Sequence, residues 1–136
     1  MFSKKTLQVI LVIWALWHLI FGVLATFAPD TGARITGWSP EAGWTADMVA
    51  LSTQYGMVML LLALVYAIML IDPLRYLMLI WVAIAEQVLG IAYAGYIYVA
   101  VGQVTAAQVG FQSVINLAFI ALFLAFWFRL RSQPTS

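Results

Sequence analysis

The chain has 136 residues, of which 65% are hydrophobic and 8% are charged, and its formal net charge is +1. Soluble domains carry about 25% charged residues, so this composition argues against a soluble fold, and the small net charge gives no basic footprint for nucleic acid. The chain has no cysteine, which excludes disulfides, thiolate metal ligands and cysteine nucleophiles. An integral membrane protein is the class that fits.

Long apolar segments follow one another along the chain. At about 1.5 Å per residue, each is long enough to cross the ~30 Å hydrocarbon layer as a helix. They predict a single transmembrane domain, residues 1–136, folded as an all-α, up-down bundle of four membrane-spanning helices. The predicted spans are residues 7–28, 48–71, 77–101 and 106–128. A cleaved signal peptide is the alternative for the first segment, but the apolar run is too long for one.

A polar connection is predicted over residues 29–47, because glycines and prolines interrupt the apolar pattern there. Ser39-Pro40-Glu41 has the features of a helix start, with a capping hydroxyl, a proline in the first turn and an acid. Trp38 and Trp44 favour a segment that rests among lipid headgroups, and the alternative is an ordinary exposed loop. Asp72 and Pro73 predict a tight turn before the third span.

The lysines and arginines predict the orientation of the chain. With four spans, one side of the membrane receives five of them and the other side receives only Arg34. This bias places both termini in the cytoplasm and the 29–47 connection in the periplasm of a bacterial inner membrane. The lipid bilayer is therefore the predicted environment.

Polar and aromatic side chains inside the spans are the candidate ligand-binding residues, because such groups at membrane depth face the interior of a bundle or a cavity. From helical rise, His18, Glu86 and Asn116 are expected near the middle of the membrane, in one polar layer. The full candidate set is His18, Glu86, Gln87, Asn116, Trp14, Trp17, Gln54, Tyr55, Gln112 and Tyr93.

This polar layer has two interpretations. In the first, the groups satisfy one another and determine which helices pair, through hydrogen bonds worth about 0.6 kcal/mol on average. In the second, they form a midplane site for a hydrophobic small molecule, such as a quinone headgroup, a sterol-like hydroxyl or a lipid head. No resident cofactor is predicted, and a quinone or a lipid is the cofactor-like molecule that would fit such a site.

Most catalytic chemistry is not predicted. A catalytic zinc needs about three protein ligands, and the chain has a single histidine. No nucleophile elbow and no phosphate loop is present, so no catalytic residue and no metal site is assigned. The main hypothesis is a non-enzymatic ligand-binding membrane protein. The alternatives are an accessory subunit that assembles with other membrane subunits or with copies of itself, and a membrane enzyme that uses Glu86 and His18 as acid and base.

Short motifs carry a resemblance to a known group of proteins. A glycine lies in the first span, a proline closes it, and a Tyr-Gly pair comes early in the second span, here Gly22, Pro29 and Tyr55-Gly56. In these features, and in length, the chain resembles the small four-helix bacterial membrane proteins of the DoxX-like and BphX-like kind. The resemblance implies a four-helix membrane fold. Most members lack an assigned reaction, so it implies no catalytic residue.

Overall fold

The computed structural model describes residues 3–36, 43–101 and 105–132. Every regular element in those ranges is helical, which confirms the predicted all-α class. The α-helices are α1 (Lys4–Phe27), α2 (Pro29–Thr36), α3 (Ala46–Ile71), α4 (Ile80–Tyr96) and α5 (Ala106–Leu130).

Four helical segments among the described residues are long and apolar enough to cross a membrane, as predicted. Each observed end lies within three residues of the predicted one, because charged or turn-forming residues mark these boundaries in the sequence. The third segment is composite: a 3₁₀ turn, Leu77–Leu79, precedes α4, and a π-helical turn, Ile97–Val101, follows it. The observed segments are Lys4–Phe27, Ala46–Ile71, Leu77–Ala100 and Ala106–Leu130.

The predicted connection over residues 29–47 needs a correction, because its first part is the helix α2. Asp30 lies in the first turn and forms an exposed ion pair with Arg34, one turn later, with 3.2 Å between oxygen and nitrogen. Ala33, on another side of the helix, is buried. Glycine and proline content suggested a loop, but a proline at a helix start costs nothing, since its missing N–H has no partner there anyway. The predicted helix start at residues 39–41 and Trp38 lie outside the described residues.

The contacts divide the chain into two compact units. The first, called the α1–α3 unit, comprises Gln8–Ile71 and contains α2 as well. The second, called the α4–α5 unit, comprises Asp72–Ser136 together with the start of the chain, Met1–Leu7. The prediction of a single transmembrane domain stays a prediction.

Glycines let α1 and α3 approach closely in the α1–α3 unit. A Cβ atom on Gly56 would lie 2.7 Å from the carbonyl oxygen of Gly22 and 2.7 Å from the amide nitrogen of Thr26. Nearby, the Ser52 hydroxyl donates a hydrogen bond to the Ala25 carbonyl oxygen at 2.9 Å. Small residues at such a crossing bring two backbones into van der Waals contact, which is the main attraction between helices in lipid.

A glycine also lies at a close contact between α4 and α5. A Cβ atom on Gly90 would lie 2.7 Å from the Asn116 amide nitrogen. Farther along the same pair of helices, the rings of Trp81 and Trp127 meet edge to face with centroids 5.6 Å apart. These contacts run antiparallel. Thr105 caps α5, because its hydroxyl accepts from the Gln108 amide at 3.2 Å while the Gln108 side chain accepts from the Thr105 amide.

An ion pair ties the start of the chain to the turn before the third span. The Lys4 ammonium lies 3.2 Å from an Asp72 carboxylate oxygen, and both side chains are partly exposed. Through this hydrogen bond, Lys4 holds the pKa of Asp72 below its ordinary value, while partial burial opposes the shift. The carboxylate also accepts from the Leu74 amide at 3.3 Å, as in a turn started by aspartate.

Replacing Lys4 with methionine should therefore change how the free energy of unfolding depends on pH in the acidic range. Because the folded pKa of Asp72 is depressed, the pair stabilises the protein above the unfolded pKa, about 3.9, and this contribution is lost as pH falls through the folded pKa. We expect the wild type to exceed Lys4→Met in unfolding free energy at neutral pH, and the difference to vanish in strong acid. Detergent unfolding across pH measures this. Lys5→Met, one residue along, is the matched control. If both variants show the same pH dependence of unfolding free energy at acidic pH, Lys4 is not the residue that stabilises the Asp72 carboxylate.

Candidate functional site

His18 lies in a buried aromatic cluster of the α1–α3 unit. It is 2% exposed, and its ring lies between those of Trp14 and Tyr66, with centroid distances of 5.4 and 5.1 Å. Its Nδ1 lies 2.8 Å from the Trp14 carbonyl oxygen, one turn earlier in α1. A carbonyl only accepts, so Nδ1 carries a proton and donates.

A cleft opens between α1, α2 and α3 in the same unit, with a volume of about 230 Å³. Two predicted residues, Trp17 and Tyr55, line it. Trp17 packs on Phe21, with ring centroids 4.3 Å apart, and Trp17 and Tyr55 are 53% and 61% exposed. The remaining lining is Phe21, Ala25, Pro29, Gly32, Ala33, Trp44, Ser52 and Met59. Four of the ten lining residues are thus aromatic, and Ser52 adds a hydroxyl.

The predicted amides of the α4–α5 unit form a chain of hydrogen bonds. The Gln112 amide donates to the Asn116 side-chain oxygen at 2.9 Å, and the Asn116 amide donates to the backbone carbonyl of Gln87 at 3.4 Å. Asn116 and Gln87 are 3% and 4% exposed. The Gln112 bond lies within α5, whereas the Asn116 bond to Gln87 joins α5 to α4, as the helix-pairing interpretation expects for Asn116.

The other predicted residues are less enclosed. Glu86 is half-buried, while Gln54 and Tyr93 are exposed, Tyr93 to 66% of its surface. His18 belongs to the α1–α3 unit, whereas Glu86 and Asn116 belong to the α4–α5 unit. The proposed layer of these three groups therefore stays a prediction.

Sequence reasoning missed several residues of the cluster and the cleft. Tyr66 is completely buried against His18. It follows Tyr55 and Met59 on one face of α3, and that spacing was the available signal. Phe21 shares a helix face with Trp17, and Ser52 shares one with Tyr55, so helical spacing was the available signal for both. Trp44 carries only an interfacial signal in the sequence, and the structure places it in the wall of the cleft.

Within the ranges that the structure describes, no three histidine, aspartate or glutamate side chains are grouped so as to hold a metal ion. No family model matches the chain, and the comparisons with curated proteins and with solved structures gave no match either. The residues themselves therefore carry the information about function.

Proposed function

We propose that this chain is a non-enzymatic, multi-pass protein of a bacterial inner membrane that binds a hydrophobic small molecule with a polar ring or head. The binding site is the cleft between α1, α2 and α3. The observation that carries the proposal is the combination of aromatic walls and a hydroxyl, since ligand sites are mostly apolar concavities with a few placed polar groups.

The position of the cleft suits a ligand that arrives from the bilayer. Trp17 lies ten residues before the end of α1 at Phe27, or about 15 Å along the helix axis. The cleft thus extends from near the middle of α1 to α2, at the end of the span. Its aromatic mouth, formed by Trp17 and Tyr55, is exposed on the surface that lipid would cover. A molecule partitioned into the membrane can enter sideways without crossing water.

The chemistry of the cleft favours a planar head with an oxygen. Aromatic rings pack well against flat rings at centroid separations of about 4.5–7 Å. The Ser52 proton is committed to the Ala25 carbonyl, so the Ser52 oxygen acts toward a ligand as an acceptor. Tyr55 adds a phenol ring to the wall of the cleft. Quinone headgroups, sterol hydroxyls and lipid heads are the classes that match.

The charge pattern and the resemblance support the same assignment. Five lysines and arginines against one favour a cytoplasmic position for both termini, which puts the cleft at the periplasmic half of the membrane. Pro29 and Tyr55, two of the residues that resemble the DoxX-like and BphX-like proteins, both line the cleft. We infer that the chain belongs with that group.

Photo-crosslinking tests the proposal in lipid nanodiscs, with a photoreactive short-chain quinone, a photoreactive sterol and a diazirine phosphatidylcholine as probes. We expect at least one probe to label the cleft residues in preference to the rest of the lipid-facing surface. Filling the cleft with Ala25→Leu should lower that labelling about tenfold, which corresponds to 1.4 kcal/mol of binding.

Ala15→Leu is the matched control, because Ala15 lies on the same helix but lines a different, purely aliphatic groove. It should leave labelling unchanged. Uniform labelling of the outer surface by every probe, or equal loss in both variants, would overturn the proposal. An empty protein that co-purifies with a stoichiometric membrane subunit would favour the accessory role.

A further inference from the structure

A second feature, far from the cleft in sequence, is a group of cations at one end of the α4–α5 unit. The Lys4–Asp72 contact of 3.2 Å places the start of the chain beside the turn at residues 72–76. Lys5 and Arg75 therefore lie at the same end as Asp72. This placement depends only on contacts within the unit.

The end of α5 lies at this end too. The edge-to-face contact of Trp81 with Trp127 sets the last turn of α5 beside the first turn of α4. Arg129 and Arg131 follow Trp127 directly. We call the resulting set the basic end; it comprises Lys4, Lys5, Arg75, Arg129 and Arg131.

The charge of the basic end is mostly uncompensated. Asp72 is the sole acid in the chain segments that form it, residues 3–7, 72–79 and 127–132, and Asp72 is paired with Lys4. The other four cations are exposed, and none has an acidic partner among the described residues. Four positive charges remain to attract an anion.

Aromatic rings hold two of these cations in place. The Arg75 guanidinium lies over the Tyr76 ring at 5.5 Å, and the Arg131 guanidinium lies over the Phe128 ring at 4.9 Å. Tyrosine rings settle at the membrane interface, so Tyr76 keeps Arg75 at the depth of the headgroups, and Phe128 holds the Arg131 guanidinium at the same end of the unit. A guanidinium at that depth can bind a phosphate through two parallel hydrogen bonds.

We propose that the basic end is a binding surface for the phosphate groups of anionic phospholipids. Clusters of four or more lysines and arginines next to a membrane span recognise such headgroups, and the chemistry here is of that kind. The proposal is independent of the cleft, because it involves the other unit and a charged headgroup in place of a hydrophobic ring.

Electron paramagnetic resonance with spin-labelled lipids tests it on the full chain in phosphatidylcholine bilayers. Spin-labelled phosphatidylglycerol should be immobilised at the protein in preference to spin-labelled phosphatidylcholine. The preference should fall as salt rises. In Arg75→Gln/Arg131→Gln it should drop about 25-fold, about fivefold for each cation.

Arg34→Gln is the matched control, since it removes an exposed arginine from α2 and leaves the basic end intact. Its lipid preference should equal that of the wild type. The proposal would be overturned if both variants lost the lipid preference equally. It would also be overturned if the wild type showed no preference for phosphatidylglycerol at any salt concentration. Displacement of phosphatidylglycerol by low-millimolar inorganic phosphate would overturn it as well, because it would show a site for the free ion.

Discussion

Replacing Gly56 with alanine is expected to force α1 and α3 apart. The added methyl group would lie 2.7 Å from the Gly22 carbonyl oxygen and from the Thr26 amide nitrogen, and these backbone atoms cannot rotate away. Overpacking costs about 1–3 kcal/mol, and backbone contacts belong at the upper end. Alanine regains about 1 kcal/mol of helix propensity, so we expect a net loss of about 2 kcal/mol. Unfolding from mild detergent into SDS, followed by circular dichroism, measures it.

Two other glycines provide the control for this prediction. Among the described residues, a Cβ atom on Gly95 or Gly110 would meet no heavy atom within 4 Å beyond its chain neighbours and its own helix backbone. Alanine at either position should leave stability unchanged or raise it slightly. If all three variants unfold alike, the close approach of α1 and α3 at Gly56 is not what stabilises the α1–α3 unit.

Tyr66→Ala is expected to have the largest effect on stability. Tyr66 is 0% exposed, and its ring contacts the His18 ring at a centroid distance of 5.1 Å. Truncating a large buried aromatic ring to alanine costs about 3–5 kcal/mol through lost contacts and the cavity left behind. The same SDS unfolding assay measures the loss. The wavelength of fluorescence emission from Trp14, which packs against His18, should shift as the cluster loosens.

Two further variants test whether the loss of stability comes from the buried ring of Tyr66. One removes only the hydroxyl, and the other removes a different tyrosine. Tyr66→Phe keeps the ring and should recover most of the stability. Tyr55→Ala removes a tyrosine from the same helix at a position that is 61% exposed, so it should cost far less. A Tyr55→Ala loss as large as that of Tyr66→Ala would show that burial against His18 is not the cause.

The sequence predicts the spans well because their signal is local. Apolar runs, bounded by charges, by Pro73 and by the capping residue Thr105, determine where each long helix begins and ends. The same local reasoning failed at α2, where Gly32 suggested a turn. Close packing of Gly32 beside Leu24, with 3.4 Å between a Gly32 Cβ and the Leu24 Cβ, is a tertiary contact that composition does not reveal.

The candidate site was predicted only in part, for a similar reason. Residue type singled out His18, Trp17 and Tyr55, because polar and aromatic groups are unusual at membrane depth. It could not show that His18 faces Tyr66 while Trp17 faces a separate cleft, since that depends on how α1 is rotated against α3. Exposure separates Tyr55 from Tyr66 on one helix, and no feature of the residues themselves does so.

The hydrogen bonds of the buried polar groups bear on how the chain enters the membrane during synthesis. One ring nitrogen of His18 donates to the Trp14 carbonyl within the same helix. The first span therefore already satisfies part of the hydrogen-bonding need of its histidine when it leaves the translocon. The Asn116 oxygen likewise accepts from Gln112 of its own helix, but the Asn116 amide donates to the Gln87 carbonyl of the preceding span. The last two spans are therefore expected to partition into lipid together, as a preassembled hairpin, rather than one after the other.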